Sequence, residues 1–214
     1  MLKRFFVLVD VALMFFVALT VHRGKRKALI VVDFQNDFAD PNGSLSVAGA
    51  LTILWVINLI IWISEQLGWL IIFTRDAHPE KTSHFKCDEN PDGWPVHCVF
   101  GTWGYEFYAR LYVPNSAFQV FKGRKAGENA YSGFDGTTEL GHHTTLDLLE
   151  RYQTEVVYVC GLALDYCVKA TCLSSVVKRF ITYLVSFATC AVNIKPDDGA
   201  KALAELKAAG VKKI

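Results

Sequence analysis

Three short apolar runs in this chain each lead to a different reactive side chain. Residues 28–32 lead into Asp33, residues 117–121 into Lys122, and residues 156–160, through a short loop, to Cys167. A fourth run, 70–73, leads into Asp76 and His78, with His84 and His97 following. Short apolar runs of this kind read as buried strands of a parallel sheet. In a parallel α/β sheet, ligands bind beyond the carboxyl ends of the strands. The four groups are therefore expected at one edge of one sheet. An acid, a base, a thiol and a set of metal ligands in one pocket point to a hydrolase.

The ligand set is Asp76-x-His78-x5-His84, with His97 thirteen residues later. One carboxylate and three imidazoles suit Zn²⁺, Fe²⁺ or Mn²⁺. Four protein ligands either close a structural site or, in six-coordination, leave two positions open. The alternative is loop histidines that only cap or hydrogen-bond, and spacing alone leaves both open. Cys167 lies just inside a helix expected to begin near Asp165. A helix N-terminus lowers a thiol pKa and offers N–H groups to an oxyanion. A buried helix cysteine is the plainer alternative, and Cys172 is read that way. Asp33 is expected to be exposed at the mouth of its strand, with Asp37 ordering the loop behind it. Lys122 can pair with a thiolate or a carboxylate; otherwise it is a solvated edge lysine, as Arg124 and Lys125 are read. His22, His142 and His143 are assigned no role.

At 214 residues the chain suits one large α/β domain. Strands are expected at 28–32, 69–73, 117–121, 155–160 and 181–185, with a short one ending the chain. Helices are expected at about 49–67, 104–111, 144–152, 165–178 and 197–209. This strand–helix alternation is the pattern of a parallel sheet. The connections 75–103 and 123–143 are long, and long loops in compact domains are usually functional.

Net charge is +1 and no cationic cluster lies on an aromatic platform, so nucleic-acid binding is not expected. Six cysteines without a Cys-x-x-Cys pair fit neither a disulfide scaffold nor a cysteine zinc site. They suit a reduced, cytoplasmic chain, with Cys160 an inert core thiol. Mean hydropathy is high, +0.25, and two segments raise it. Residues 5–21, after Lys3 and Arg4, are broken only by Asp10 and Thr20. They form a packing segment, a signal-like segment or a short membrane anchor, and so divide the chain into an extension, 1–24, and a domain, 25–214. Membrane contact through 5–21 is the alternative to a cytoplasmic protein. Residues 51–63 (LTILWVINLIIWI) carry almost no polar face. They are expected at a buried interface, consistent with a homo-oligomer.

The motifs are also recognisable. The stretches ALIVVDFQNDF, GSLSV, TRDAHP, HF, DGWPVHCV, GTWG, FKG, AYSGF, VYVCGLALDYCVKAT and ATCAVN, between residues 28 and 195, resemble the nicotinamidases (pyrazinamidases) of the isochorismatase-like cysteine hydrolase family. The resemblance implies a three-layer α/β/α fold around a six-stranded parallel sheet. It implies a catalytic triad of Asp33, Lys122 and Cys167, and metal ligands Asp76, His78, His84 and His97 for one divalent ion, Zn²⁺ before Fe²⁺ or Mn²⁺. It implies ring contacts from Phe38 and Trp94, and Tyr131 in the substrate loop. It further implies an oxyanion hole from the N–H groups of Ala163 and Cys167, with a cis peptide before Ala163.

The implied reaction is hydrolysis of nicotinamide, and of pyrazinamide, through a cysteine thioester, with the metal holding the ring nitrogen. The chain departs from the family in residues 5–21, in the apolar 51–63, and in Phe187, where Asp is more usual. The alternatives are an amidase for another heteroaromatic carboxamide, an isochorismatase-type vinyl-ether hydrolase, and a non-catalytic scaffold or membrane-associated protein of the same fold.

Overall fold

The computed structural model describes residues 2–88, 90–128 and 131–214, with side chains from residue 8 onward. The side chains of 5–7 in the first apolar run, and Ala130 of AYSGF, lie outside the described residues. Six parallel strands form one sheet: β1 (Arg26–Val32), β2 (Leu70–Asp76), β3 (Phe118–Lys122), β4 (Thr154–Leu162), β5 (Ile181–Cys190) and β6 (Lys212–Lys213). Their order is β3-β2-β1-β4-β5-β6. The order reverses between β1 and β4, the position where such sheets open a crevice.

Successive residues of a strand face opposite sides, and both sides here are covered. Leu29, Val31, Ile71, Phe73, Val156 and Tyr158 pack into one core, with α1 (Leu2–Thr20) and α3 (Ala50–Gln66). Ala28, Ile30, Val32, Ile72, Val157 and Val159 pack into the other, with α4 (Thr145–Arg151), α5 (Lys169–Val177) and α6 (Asp198–Ala208). Two-sided burial explains why the strands read as unbroken apolar runs rather than as alternation.

Much of the apolar character of α3 has its cause within the chain. Ile53, Val56, Ile57, Ile60 and Ile61 are buried, and α1 lies against α3 with Val11, Met14, Phe15 and Ala18 in the same core. Its inner face is thus buried between the sheet and the N-terminal helix, while Leu51 and Trp62 remain exposed. Past the end of α1, His22 is buried and its Nε2 shares a 2.9 Å hydrogen bond with the Tyr183 hydroxyl. Phe15 meets Trp69, which stacks on Tyr158, which stacks on Tyr183. A histidine assigned no role from sequence therefore ties the extension to β5.

The helix expected at 104–111 does not form. Its backbone serves the loop after β1 instead: the Asn36 N–H donates to Glu106 O, the Asp37 N–H to Gly104 O, and the Tyr108 N–H to Phe34 O. Carbonyls engaged in this way are not free for an i→i+4 ladder. A four-residue helix, α2 (Asn36–Ala39), forms where only a loop was expected. Strands β4 and β5 also run past their expected ends, to Leu162 and Cys190.

Candidate active site

The sheet brings the expected groups together. Asp33 follows β1 with a left-handed backbone, φ 42°, a conformation Asp tolerates better than most residues. Its Oδ1 accepts from Thr74 Oγ1 at 2.6 Å, and its Oδ2 lies 2.9 Å from Lys122 Nζ. Asp76 ends β2 and pairs in register with Lys122 at the end of β3. Lys122 Nζ accordingly donates to Asp76 Oδ1. The same ammonium is 3.5 Å from Cys167 Sγ. Reactive atoms of Asp33, Asp76 and Cys167 lie within 4.8 Å of one another.

Cys167 reaches this cluster from the other side of the crevice. Strand β4 ends at Leu162, the Leu162–Ala163 peptide is cis, and a π-helical turn, Leu164–Val168, leads into α5. Asp165 pins the turn, accepting from the Val192 and Asn193 N–H groups at 2.9 and 2.8 Å. Thr171 Oγ1 donates to Cys167 O at 2.7 Å. At Gly161, φ is +109° and a Cβ would run into the Val32 backbone. Only glycine lets β4 pass the end of β1 so closely.

Two sequence expectations are corrected here. Asp33 is fully buried rather than exposed at the strand mouth. The Cys167 thiol is pushed well above its ordinary range, not lowered by the helix start. Burial is the main cause, and Asp33 and Asp76 reinforce it against the partial relief from Lys122. The resting group is a thiol that needs a base. Burial also raises the Asp33 carboxyl. Burial alone would lower Lys122, but the carboxylates of Asp33 and Asp76 hold it well above its usual value, so it stays an ammonium.

Asp76 is shared between this cluster and the histidines. Its Oδ2 stands 3.8 Å from both His78 Nε2 and His97 Nε2. Burial disfavours its charge, yet Lys122, His78 and His97 hold it well below the usual carboxylate range. Ring nitrogens of His78, His84 and His97 lie within 4.8 Å of one another, all three residues buried. Burial holds His97 down to about 4, so it is neutral near pH 7. Its Nδ1 bonds to Pro95 O at 2.7 Å, which leaves the Nε2 lone pair facing the cluster. His78 is buried with both ring nitrogens lacking a hydrogen-bond partner. Gly123 permits that position: its φ is +74°, and a Cβ there would stand 2.7 Å from His78 Cε1. A neutral imidazole held in one tautomer, an orphaned buried imidazole and an ionised carboxylate are what a divalent cation needs. The residues fit the ion.

A small, mostly apolar pocket opens between the two clusters, lined by Phe38, Trp94, Tyr131, Ala163, Cys167, His84 and His97. Trp94 Nε1 donates to the Tyr131 hydroxyl at 3.0 Å, and Trp94 meets Tyr166 edge-on. All the residues expected from sequence thus stand in or beside one cavity.

A profile of the isochorismatase domain matches residues 27–214. The chain belongs to the isochorismatase family. It is similar to the nicotinamidase of Saccharomyces cerevisiae, 32% identical over an alignment that covers 85% of this chain and 96% of the yeast protein. It is 33% identical to the nicotinamidase/pyrazinamidase of Mycobacterium tuberculosis over 187 residues, which cover 86% and 96% of the two chains. Among solved structures, the pyrazinamidase of Pyrococcus horikoshii in complex with zinc superposes with a TM-score of 0.78 at 37% identity, covering 88% of this chain and 98% of that one. PnC1 from L. infantum in complex with nicotinate superposes at 0.77 and 34% identity, covering 89% and 92%.

Several supports of this isochorismatase-family site were not singled out in the sequence. Gln35 donates to Asp76 O at 2.9 Å and to Tyr105 O at 2.8 Å, and accepts from the Asp76 N–H at 2.8 Å. Thr74 holds Asp33. Leu45, Leu162, Tyr166 and Val192 add to the pocket wall. Gln35, Thr74 and Tyr166 sit within one or two residues of Asp33, Asp76 and Cys167, and that adjacency was the available signal. Asp37 orders its loop as expected, accepting from the Ser44 and Cys98 N–H groups at 3.2 and 2.7 Å.

Proposed function

We propose that this protein is a nicotinamidase, hydrolysing nicotinamide to nicotinate and ammonia and accepting pyrazinamide as well. One observation carries the reading: a buried Asp33–Lys122–Cys167 cluster and a buried three-histidine cluster share Asp76 across one ring-sized pocket. The relatives named above, nicotinamidases and pyrazinamidases among them, support it. On this reading the hydrolase is residues 25–214, and residues 1–24 are an added element. A nucleophile that must remain a free thiol suits a reducing compartment, the cytoplasm.

Asp76, His78, His84 and His97 would hold one divalent ion, zinc by preference, with Fe²⁺ and Mn²⁺ as alternatives for the same ligands. When bound, that ion supplies a Lewis-acidic anchor for the ring nitrogen, which is positioning rather than activation. His97→Ala is expected to leave the protein folded with substoichiometric metal, measured by elemental analysis against circular dichroism. A variant that keeps full metal would remove His97 from the ligand set.

The chain's own residues do the rest. Phe38 and Trp94 flank the ring, and Tyr131 steadies Trp94. The buried Asp33 carboxylate takes the Cys167 proton as sulfur attacks the carboxamide carbon, because the raised thiol pKa leaves almost no free thiolate. Lys122 stabilises the charge that moves between Asp33 and sulfur. The N–H groups of Ala163 and Cys167 receive the carbonyl oxygen as it becomes negative. Asp33 returns the proton to the leaving nitrogen, ammonia departs and a thioester remains. Asp33 then draws a proton from water as it attacks the thioester carbon. Nicotinate leaves and the thiol is restored.

Benzamide tests the ring-nitrogen part of this account. It keeps the shape and the amide but lacks the nitrogen. Its kcat/KM is expected to fall on the order of 10²-fold or more below that of nicotinamide. Equal rates on the two amides would contradict the anchoring role.

A further inference from the structure

The outward face of α1 is apolar along its described length. Leu8, Val9, Leu13, Phe16, Leu19 and Val21 are exposed, Phe16 by 62% and Val21 by 67%. Val9, Leu13 and Phe16 lie opposite the Val11, Met14, Phe15 and Ala18 positions that fasten the helix to the domain, Leu8 and Leu19 flank them, and Val21 follows the helix end. From residue 8 to 21 the single charged side chain is Asp10, which is partly exposed. A contiguous apolar strip of this kind marks an interaction surface.

What surrounds the strip selects its occupant. The sequence places Lys3 and Arg4 at its start and Arg23, Lys25, Arg26 and Lys27 at its end. At that end Leu19 and Leu67 border a groove also lined by Lys25, Arg26, Lys27 and Trp69, so the strip runs directly into a cationic recess. Lys25 is paired with Glu155 at 2.5 Å, and Lys27 donates to Lys25 O at 2.8 Å, whereas Arg26 is exposed. A second copy of the chain is a poor occupant. Parallel pairing would set the exposed Arg23 and Arg26 of two copies against each other. An anionic bilayer matches both features: its acyl boundary takes the apolar strip and its phosphates take the cations. Because Val11, Met14, Phe15 and Ala18 fasten the inner face of the helix to the domain, the helix would lie along the interface.

We propose that the outer face of α1, with the Lys25–Arg26–Lys27 groove, docks the enzyme on the surface of an anionic phospholipid membrane. This goes beyond the amidase reading and does not depend on it. The groove adjoins the starts of β1 and β2, whereas Asp33 and Asp76 stand at their ends. Seven residues of strand at about 3.3 Å each separate the two by roughly 20 Å. The substrate pocket stays open to solvent while the other end of the sheet meets lipid.

Flotation of the full chain with vesicles of phosphatidylcholine, alone or mixed with phosphatidylserine, tests the proposal, because aggregates stay at the bottom of the gradient. The full chain is expected to float with the mixed vesicles, less with the neutral ones, and less at high salt. The double variant Leu13→Ser/Phe16→Ser should remain at the bottom. Arg26→Glu should bind at least about fivefold more weakly, the scale of one cation at an anionic surface. Both variants should keep the far-ultraviolet circular dichroism and the amidase rate of the parent. A parent chain that stays at the bottom, or a double variant that floats as well as the parent, would overturn the proposal. So would a parent that dimerises without floating and becomes monomeric in the double variant, since the face would then join two copies.

Discussion

Replacing Cys167 by alanine is expected to lower ammonia release from nicotinamide on the order of 10⁶-fold, the scale on which covalent hydrolases lose rate with their nucleophile. The size follows from the geometry. Within the buried cluster, Cys167 Sγ is the nucleophilic atom among Asp33, Asp76 and Lys122. No neighbour can replace it: Asp33 is a weaker nucleophile engaged by Thr74 and Lys122, and Lys122 stays protonated beside two carboxylates. Ring binding should survive, because Phe38, Trp94 and the histidine cluster are untouched. The check is a pair of measurements on one preparation: turnover, and nicotinamide or nicotinate binding by calorimetry. A variant that binds but does not turn over is the expected result. Appreciable turnover would remove Cys167 from the mechanism.

The second large effect is expected from Asp33→Asn, a fall in kcat on the order of 10²–10⁴-fold, the usual contribution of a positioned general base. Asparagine keeps the shape and can still meet Thr74, but it cannot take the thiol proton. That proton is hard to remove because burial holds the Cys167 thiol well up. The pH profile adds a sign. Asp33 must be ionised in the resting enzyme, and burial raises its pKa. Activity should therefore be lost as pH falls through that raised value, above the ordinary carboxylate pKa of about 3.9. The Asn variant should lose this acid limb along with the rate. A variant with a near-normal rate and an unchanged acid limb would assign the base elsewhere.

Most of the site could be read from the chain because strand ends do two things at once. An apolar run buried on both faces is visible as such, and the residue that ends it must sit at the sheet edge. Asp76 and Lys122 illustrate this: each ends its strand, and register alone pairs them. What could not be read depends on contacts between distant segments. The 104–111 stretch has helix-like composition, yet its carbonyls are taken by the loop after β1. Much of the apolar surface of α3 makes sense only once α1 lies beside it. The direction of the Cys167 shift turned on how deeply two carboxylates and an ammonium are buried with it, which a helix-start rule does not include. Gln35 and Thr74 stand two residues from Asp33 and Asp76, but adjacency did not say that each side chain would cross to the other strand's carboxylate residue.

Ammonia and nicotinate release from nicotinamide by the full chain, before chelation, after it, and after zinc is restored, tests the central claim most directly. The account predicts release in equal amounts, loss on chelation with the fold retained, and recovery with zinc. A folded, zinc-loaded protein that releases neither product would contradict it.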